Sequence, residues 1–550
     1  MNGRADLSER TSARTSARTS ARTPPLPKNI VIFSDGTGNS GIQNRGTNVF
    51  KMFEAVDLNG HFNHPPQKQQ IAFYDDGVGT ERFKPLKMLG SAIGWGLSRN
   101  VRELYTALVR SYNPGDSIYL FGFSRGAFTA RSIGGFITSC GILNHNAYKS
   151  DDALVKAVNQ AYKVYRSRYM TGAHKHLRSL FKKIVPDGEN SARFKQKLAD
   201  FHEEHAVHID VPIAFIGAWD TVDAVGLPFA HLADLINYFI YPFKFADHSL
   251  NPKVERARHA LSIDDERHTF HPLLWDETAG DGERIKQVWF AGVHTNVGGG
   301  YPKQGMSLTA LSWMINEAEA AGLRILPSDK QCYYDHESVN DKLYNSRAGT
   351  GMYYRYKPRD IYQMCKASKT TPKIHETVID RIAQRTEGYA PGNLPRDAEI
   401  VATRGNVARY PTVGAALTKD YGAHTSLLAL VRPQIWLRRA AHHAYFVLSL
   451  LALWAAYRPV MAAHSGLDKV SAAMDANVLD TVVNAVKTDW LFDTLIVAIA
   501  VSFTIALRAE AKMRNTFSEF WYTSTPTLLD KSKLSAEHAT PPQKSAGPEM

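Results

Sequence analysis

The feature that most restricts the fold of this chain is a recurring unit in which a short apolar run stops abruptly in a polar, glycine-containing loop. Asn29-Ile-Val-Ile-Phe33 enters Ser34-Asp-Gly-Thr-Gly-Asn39, and Gln70-Ile-Ala-Phe-Tyr74 enters Asp75-Asp-Gly-Val-Gly-Thr80. Ile118-Tyr-Leu-Phe-Gly-Phe123 enters Ser124-Arg-Gly126, and Val211-Pro-Ile-Ala-Phe-Ile-Gly-Ala-Trp219 enters Asp220-Thr-Val-Asp223. Ile285-Lys-Gln-Val-Trp-Phe-Ala-Gly292 enters Val293-His-Thr-Asn-Val-Gly-Gly-Gly-Tyr301. Runs of this length, without polar alternation, read as strands buried on both faces. Helical patterns lie between or after them at 48–56, 101–112 and 308–320. Strand and helix in alternation predict an α/β fold built on a doubly wound, mostly parallel sheet, with the polar loops gathered at one edge and Ser124 centrally placed.

Gly122-Phe-Ser-Arg-Gly126 is a serine between two glycines at a strand-to-helix turn. Such a serine sits in a strained backbone conformation, and the glycines let strand and helix approach without a Cβ between them. Its hydroxyl then stands above the sheet edge, and the backbone N–H of Arg125, at a helix N-terminus, faces any oxyanion that forms. On the first loop, Asp35 either orders the chain as an Asx turn or contacts substrate, and the backbone donors of Gly36 and Thr37 are candidates for the second half of an oxyanion hole. A serine hydroxyl is a poor nucleophile until a histidine takes its proton and a carboxylate holds the imidazole. Asp220 and His294 each follow a later strand, and the order Ser, Asp, His predicts the triad Ser124, Asp220 and His294. Asp223 competes with Asp220, but Asp220 abuts the apolar run. His259 reads as part of a helical or turn segment, where it satisfies internal polar groups. No histidine or cysteine has metal-ligand spacing, so the expected chemistry uses no metal and no cofactor.

These motifs resemble those of a bacterial and fungal family of α/β-hydrolase domains of unknown function that includes type VI secretion phospholipase effectors. The likeness is carried by FSDGTGN at 33–39, GVGT at 77–80, GFSRGAFTAR at 122–131, WDTV at 219–222, HALSID at 259–264 and GVHTNVGGGY at 292–301, and it extends weakly to about residue 400. The resemblance implies a nucleophile at Ser124, an acid at Asp220 and a base at His294. It also implies an esterase acting on phospholipid acyl chains and, for an effector, secretion or immunity partners and delivery into rival cells. Family members commonly carry Asp where this chain has Asn296, a supporting position beside the histidine loop.

The rest of the chain divides around that core. Residues 1–27, with Arg10, Arg14, Arg18 and Arg22 among Ser and Thr, read as a disordered basic leader without the apolar stretch of a secretory signal. Residues 28–430 form the catalytic domain. Within it, 150–207 reads as a polar helical insertion, 227–245 as an apolar cover over the site, and 372–382 as a helix. Two apolar segments, centred on 444–457 and 490–507, make 431–515 a helical hairpin with the length to cross a bilayer, and 516–550 reads as a polar tail. Trp454, Tyr457 and Trp490 are candidate interfacial anchors, and basic residues outside both segments place both termini in the cytoplasm at an inner membrane. The net charge of +12, from 65 Lys and Arg against 53 Asp and Glu, suits anionic headgroups as well as nucleic acid. Nothing but charge favours nucleic acid, and none is expected as a partner. Three well-separated cysteines, Cys140, Cys332 and Cys365, fit a reducing compartment. The sequence therefore predicts a serine esterase acting on phospholipid or another hydrophobic ester at a membrane. The competing reading is a membrane-tethered interaction protein on a hydrolase scaffold.

Overall fold

A computed structural model describes residues 26–36, 46–76, 95–168, 187–222 and 248–536, with short gaps at 279, 403–407, 409, 418–423 and between 463 and 476. The strands are β1 (Asn29–Ser34), β2 (Gln70–Asp75), β3 (Ser117–Phe123), β4 (Ile142–Leu143), β5 (Val207–His208), β6 (Phe215–Trp219), β7 (Ala257–Ser262), β8 (Ile285–Phe290), β9 (Lys373–His375) and β10 (Glu399–Val401). Eight of them form one sheet in the order β10-β9-β8-β7-β6-β3-β1-β2. Every neighbouring pair in that sheet is parallel. The fold is α/β, as the alternation of runs predicts. β4 and β5 pair separately as an antiparallel ribbon.

The chain lays down β1, steps outward to β2, then returns across β1 to place β3 on its other side and continues away in the opposite direction. Strand order thus reverses between β1 and β3, which sets the carboxyl ends of those two strands side by side. Alternate side chains feed two cores. Ile30, Ile32, Ile118, Leu120 and Ile216 pack with the helices Trp95–Ser111 and Arg125–Cys140. Val31, Phe33, Phe121, Phe215 and Trp219 pack with the helices Asn48–Ala55 and Gly305–Glu319 on the opposite face. Phe33 and Phe121 stack across neighbouring strands with centroids 5.1 Å apart. Burial on both faces is why these runs lack polar alternation.

Three segments within the α/β domain differ from the sequence reading. His259 lies within strand β7, where Arg258 and His259 are both buried because partners from elsewhere satisfy them: Glu317 for the arginine and the Thr221 amide for the imidazole. The run from Val211 becomes a sheet strand only at Phe215, since Pro212 has no N–H for a ladder. The expected helix at 372–382 begins with strand β9 and becomes helical at Glu376–Ala383. In the 150–207 insertion, helices Asp151–Ser167 and Asp187–Glu204 are present as expected. The proposed cover at 227–245 lies outside the described residues.

After the sheet, helix Arg432–Ala462 pairs antiparallel with helix Trp490–Ala536, and the shorter helix Val478–Thr488 packs at their far end. Ala452, Ala455, Ala456 and Ala485 form a seam of small residues against Phe492 and Leu495. The outward faces are apolar and open: Leu450, Leu453, Trp454, Val497 and Val501 are each about half exposed or more. Both helices are long and apolar enough to cross a membrane. The polar tail expected from 516 is instead, as far as Ala536, a continuation of the second helix. Trp521 donates its indole N–H to Pro391 O (2.8 Å), and the Phe517 ring covers Gly392. This second helix is therefore one rod that begins in the apolar pair and is seated on the α/β body at Phe517 and Trp521.

Candidate active site

Ser124 follows β3 and precedes helix Arg125–Cys140 with φ 59° and ψ −122°, a region that L-residues rarely occupy. Holding a residue there costs about 1–3 kcal/mol, which the surrounding contacts must offset. They do so by closeness: a Cβ on Gly122 would lie 2.3 Å from Gly126 O. The strand and the helix touch backbone to backbone, and the serine is forced to the tip.

Asp220, the first residue beyond β6, also has positive φ (41°), and its amide donates to Ala260 O (2.8 Å). His294 begins the short helix His294–Gly298 after β8. Three separate strand ends so bring the three groups together. His294 Nε2 lies 2.8 Å from Ser124 Oγ, and His294 Nδ1 lies 2.5 Å from Asp220 Oδ2. The rings of Phe123 and Phe270 flank the imidazole at 4.7 and 5.0 Å between centroids, screening it from water.

The electrostatics match the geometry. Burial alone would raise the Asp220 carboxyl, but Arg359 and His294 override it and hold the group well below the usual carboxylate range. Burial lowers the His294 imidazole below its ordinary value, with Asp220 opposing, so the ring is a neutral acceptor near pH 7. His259 is pushed down to about 3, chiefly by burial and then by Arg131, so it stays neutral beside the site.

Sequence reading missed Arg359. Its guanidinium is fully buried and donates to both oxygens of Asp220, Nη1 to Oδ1 at 2.7 Å and Nη2 to Oδ2 at 2.9 Å. The same nitrogens reach Ser262 O and Phe270 O. Asp220 also accepts from the Ser262 amide (3.0 Å) and hydroxyl (3.2 Å). Local sequence around Arg359, Tyr-Lys-Pro-Arg-Asp, resembles any polar turn, and only tertiary placement reveals the pairing. Asp265 was missed too: it accepts from the His294 amide (3.2 Å) and pairs with Arg267 (2.7 Å), fixing the start of the histidine helix.

The first loop supports the serine turn. Asp35 is buried and accepts from Thr47 Oγ1, from Tyr74 OH (2.8 Å) and from the Gly36 amide (2.6 Å). Burial raises its carboxyl to about 6 against the pull of those donors. The Gly36 amide, expected to face an oxyanion, is turned to the Asp35 carboxylate instead. Thr37 lies outside the described residues. The Arg125 amide, first in its helix, has no intrahelical acceptor by geometry and points along the helix axis toward the turn. Asn296 does not touch the triad: it accepts from Tyr344 N (3.3 Å) and donates to Lys342 O (3.0 Å), tying a crossing segment to the histidine helix.

The family described as the catalytic domain of Tle1-like phospholipase effectors of type VI secretion matches residues 28–317. An uncharacterized protein of Saccharomyces cerevisiae, YEL023C, is 27% identical over 262 residues, with the match covering 45% of this chain and 33% of the yeast protein. The chain therefore spans about a third of the length of that curated relative. Among solved structures, the Tle1 effector bound to the VgrG spike of the type 6 secretion system aligns with TM-score 0.33 and 13% identity, over 60% of this chain and 79% of that one. An uncharacterized protein from Pseudomonas aeruginosa aligns with TM-score 0.30 and 17% identity, over 66% of this chain and 55% of that one.

Proposed function

Because the chain belongs to the family of Tle1-like phospholipase effector catalytic domains, we propose that it is a serine hydrolase cleaving a carboxylic ester of a phospholipid. The observation that carries this reading is the unbroken hydrogen-bonded line from Ser124 through His294 to Asp220. Ser124 Oγ attacks the ester carbonyl while His294 Nε2 takes its proton. The Arg125 amide stabilises the oxyanion, and His294 returns the proton to the departing alcohol. Water then repeats the sequence on the acyl-serine. Asp220 keeps the imidazole in the tautomer with Nδ1 protonated and offsets the positive charge that develops on the ring.

A catalytically silent scaffold has no need of a buried, strained serine in contact with a neutral imidazole, so the enzyme reading is preferred over the tethering one. The exposed apolar faces of the long helix pair support residence in a bilayer, where phospholipid is at hand. Membership in an effector family supports delivery to target cells by a secretion machinery. The test is hydrolysis of defined phospholipids in mixed micelles by the full-length protein, compared with Ser124→Ala. Equal fatty-acid release by the two proteins would end this reading.

A further inference from the structure

Arg359 reaches Asp220 from a segment held on one side by the α/β body and on the other by the long helices. Residues 355–357 pair with 266–268 in a short antiparallel stretch, His268 N to Arg355 O (2.9 Å) and Lys357 N to Glu266 O (2.8 Å), which leads directly into Pro358 and Arg359. On the outer side, Tyr445 OH donates to Met352 O (2.6 Å). Arg438 lies over the Tyr356 ring at 3.9 Å and bridges Glu266 (3.1 Å) and Glu510 (2.7 Å), one acid from the body and one from the second long helix. Tyr356 is buried against Val431, Ile435 and Met513. The hydrolase segment that delivers the guanidinium is thus gripped by both members of the helix pair.

We infer that Arg359 is the positioning residue of the triad and that the long helix pair, by clamping residues 352–357, holds it on Asp220. This rests on the serine-hydrolase reading above. A bidentate guanidinium fixes both the rotation of the carboxylate and its charge. Without it, the Asp220 carboxylate loses its fixed alignment on His294 Nδ1 while staying beside the ring, where its negative charge is no longer offset by the guanidinium. The first effect lowers turnover, and the second makes His294 more basic, so that the acid limb of the kcat/KM profile moves to higher pH. Asp265, Arg267 and His259, the other charged or titratable groups around the Asp220–His294 pair, stay in place in every variant below.

The experiment uses the full-length chain in detergent, with p-nitrophenyl butyrate as a small dispersed ester, and records kcat, KM and the pH profile. Arg359→Gln should lose about a hundredfold in kcat, the scale of a misplaced catalytic group, with KM little changed and the acid limb moved upward. Arg359→Lys should return the limb toward its original position while recovering only part of kcat, because one ammonium cannot span both oxygens. Tyr445→Phe and Arg438→Met, which leave Arg359 intact, should each lower kcat severalfold and move the limb in the same direction. A folded Arg359→Gln protein with unchanged kcat and limb overturns the inference. Should Arg359→Gln fail to fold, unchanged kinetics in both Tyr445→Phe and Arg438→Met overturn it instead. Loss of kcat without movement of the limb marks a merely structural contact and also overturns it. Ser124→Ala, run alongside, separates the two levels: if it turns over normally, the triad reading itself has failed. If Ser124→Ala is inactive and the other variants are not impaired, only the present inference falls.

Discussion

The carbonyl oxygen of Ser34 occupies the place a side chain would need at Gly126: a Cβ there would lie 2.0 Å from it. The turn after β1 and the helix after β3 are in backbone contact at the point where strand order reverses. Gly126→Ala should therefore push the first loop away from the nucleophile. A cost of roughly 1–3 kcal/mol or more is expected in chemical denaturation, the overpacking range, together with loss of esterase activity. An alanine variant of normal stability and turnover would mean that this contact is not what sets the serine turn.

Ser124→Ala, Asp220→Asn and His294→Ala should each reduce ester turnover by on the order of 10⁴-fold or more, and the triple variant should be little worse than the worst single one. Steady-state rates on one ester, with folding checked by circular dichroism, decide the matter. Additive losses would show that the three side chains do not act as a unit.

Because burial lowers the His294 imidazole, the base remains available below the ordinary histidine value of 6.5. The acid limb of kcat/KM should accordingly have an apparent pKa under 6.5. A limb above 6.5 would require a base other than this ring.

Asp35 ties folding stability to pH. Its carboxyl rises from 3.8 to about 6 on folding, so the native state holds the proton more tightly than the unfolded chain. Its contribution is fully present below pH 3.8 and is lost as pH rises through 6. The linked change is about 3 kcal/mol. Asp35→Asn should flatten the stability profile between pH 4 and 7, as read by urea midpoints. A profile of unchanged slope would remove Asp35 as its source.

Membrane attachment should depend on the outward faces of the helix pair. Replacing Leu450, Leu453, Val497 and Val501 together by Gln should release the full-length protein from membranes that withstand carbonate and high salt. Activity on a dispersed ester should persist, since none of these side chains touches the body. Release of the unmodified protein by salt alone would assign attachment to charge instead. A chain ending near residue 430 should lose that activity, because Arg438, Met513 and Trp521 are part of the body's packing.

Strand-end chemistry was legible because it is written locally. A buried strand must be apolar, and a polar group set at the sheet edge must follow it; Ser124, Asp220 and His294 all do, and at Ser124 the flanking glycines mark the tight turn as well. β7 was not legible, because Arg258 and His259 are buried polar residues whose partners, Glu317 and the Thr221 amide, are remote or on a neighbouring strand. Arg359 was hidden for the same reason, since a charged residue among polar neighbours looks solvated until Asp220 is set beside it. The end of the last helix was misplaced because its sequence turns polar after Ile505, while Phe517 and Trp521 still find apolar ground on the hydrolase.

The unbroken run of helix Trp490–Ala536 makes distance a fixed property of this molecule. From Ile505, in the apolar pair, to Trp521, locked onto Pro391, the rod measures about 24 Å at the α-helical rise. Were the pair to cross a bilayer as proposed, the height of the body over the leaflet would be set by chain length, as a strut sets the height of a platform, and not by how tightly the body adheres to the surface. Adding or removing a turn between these points would change that height.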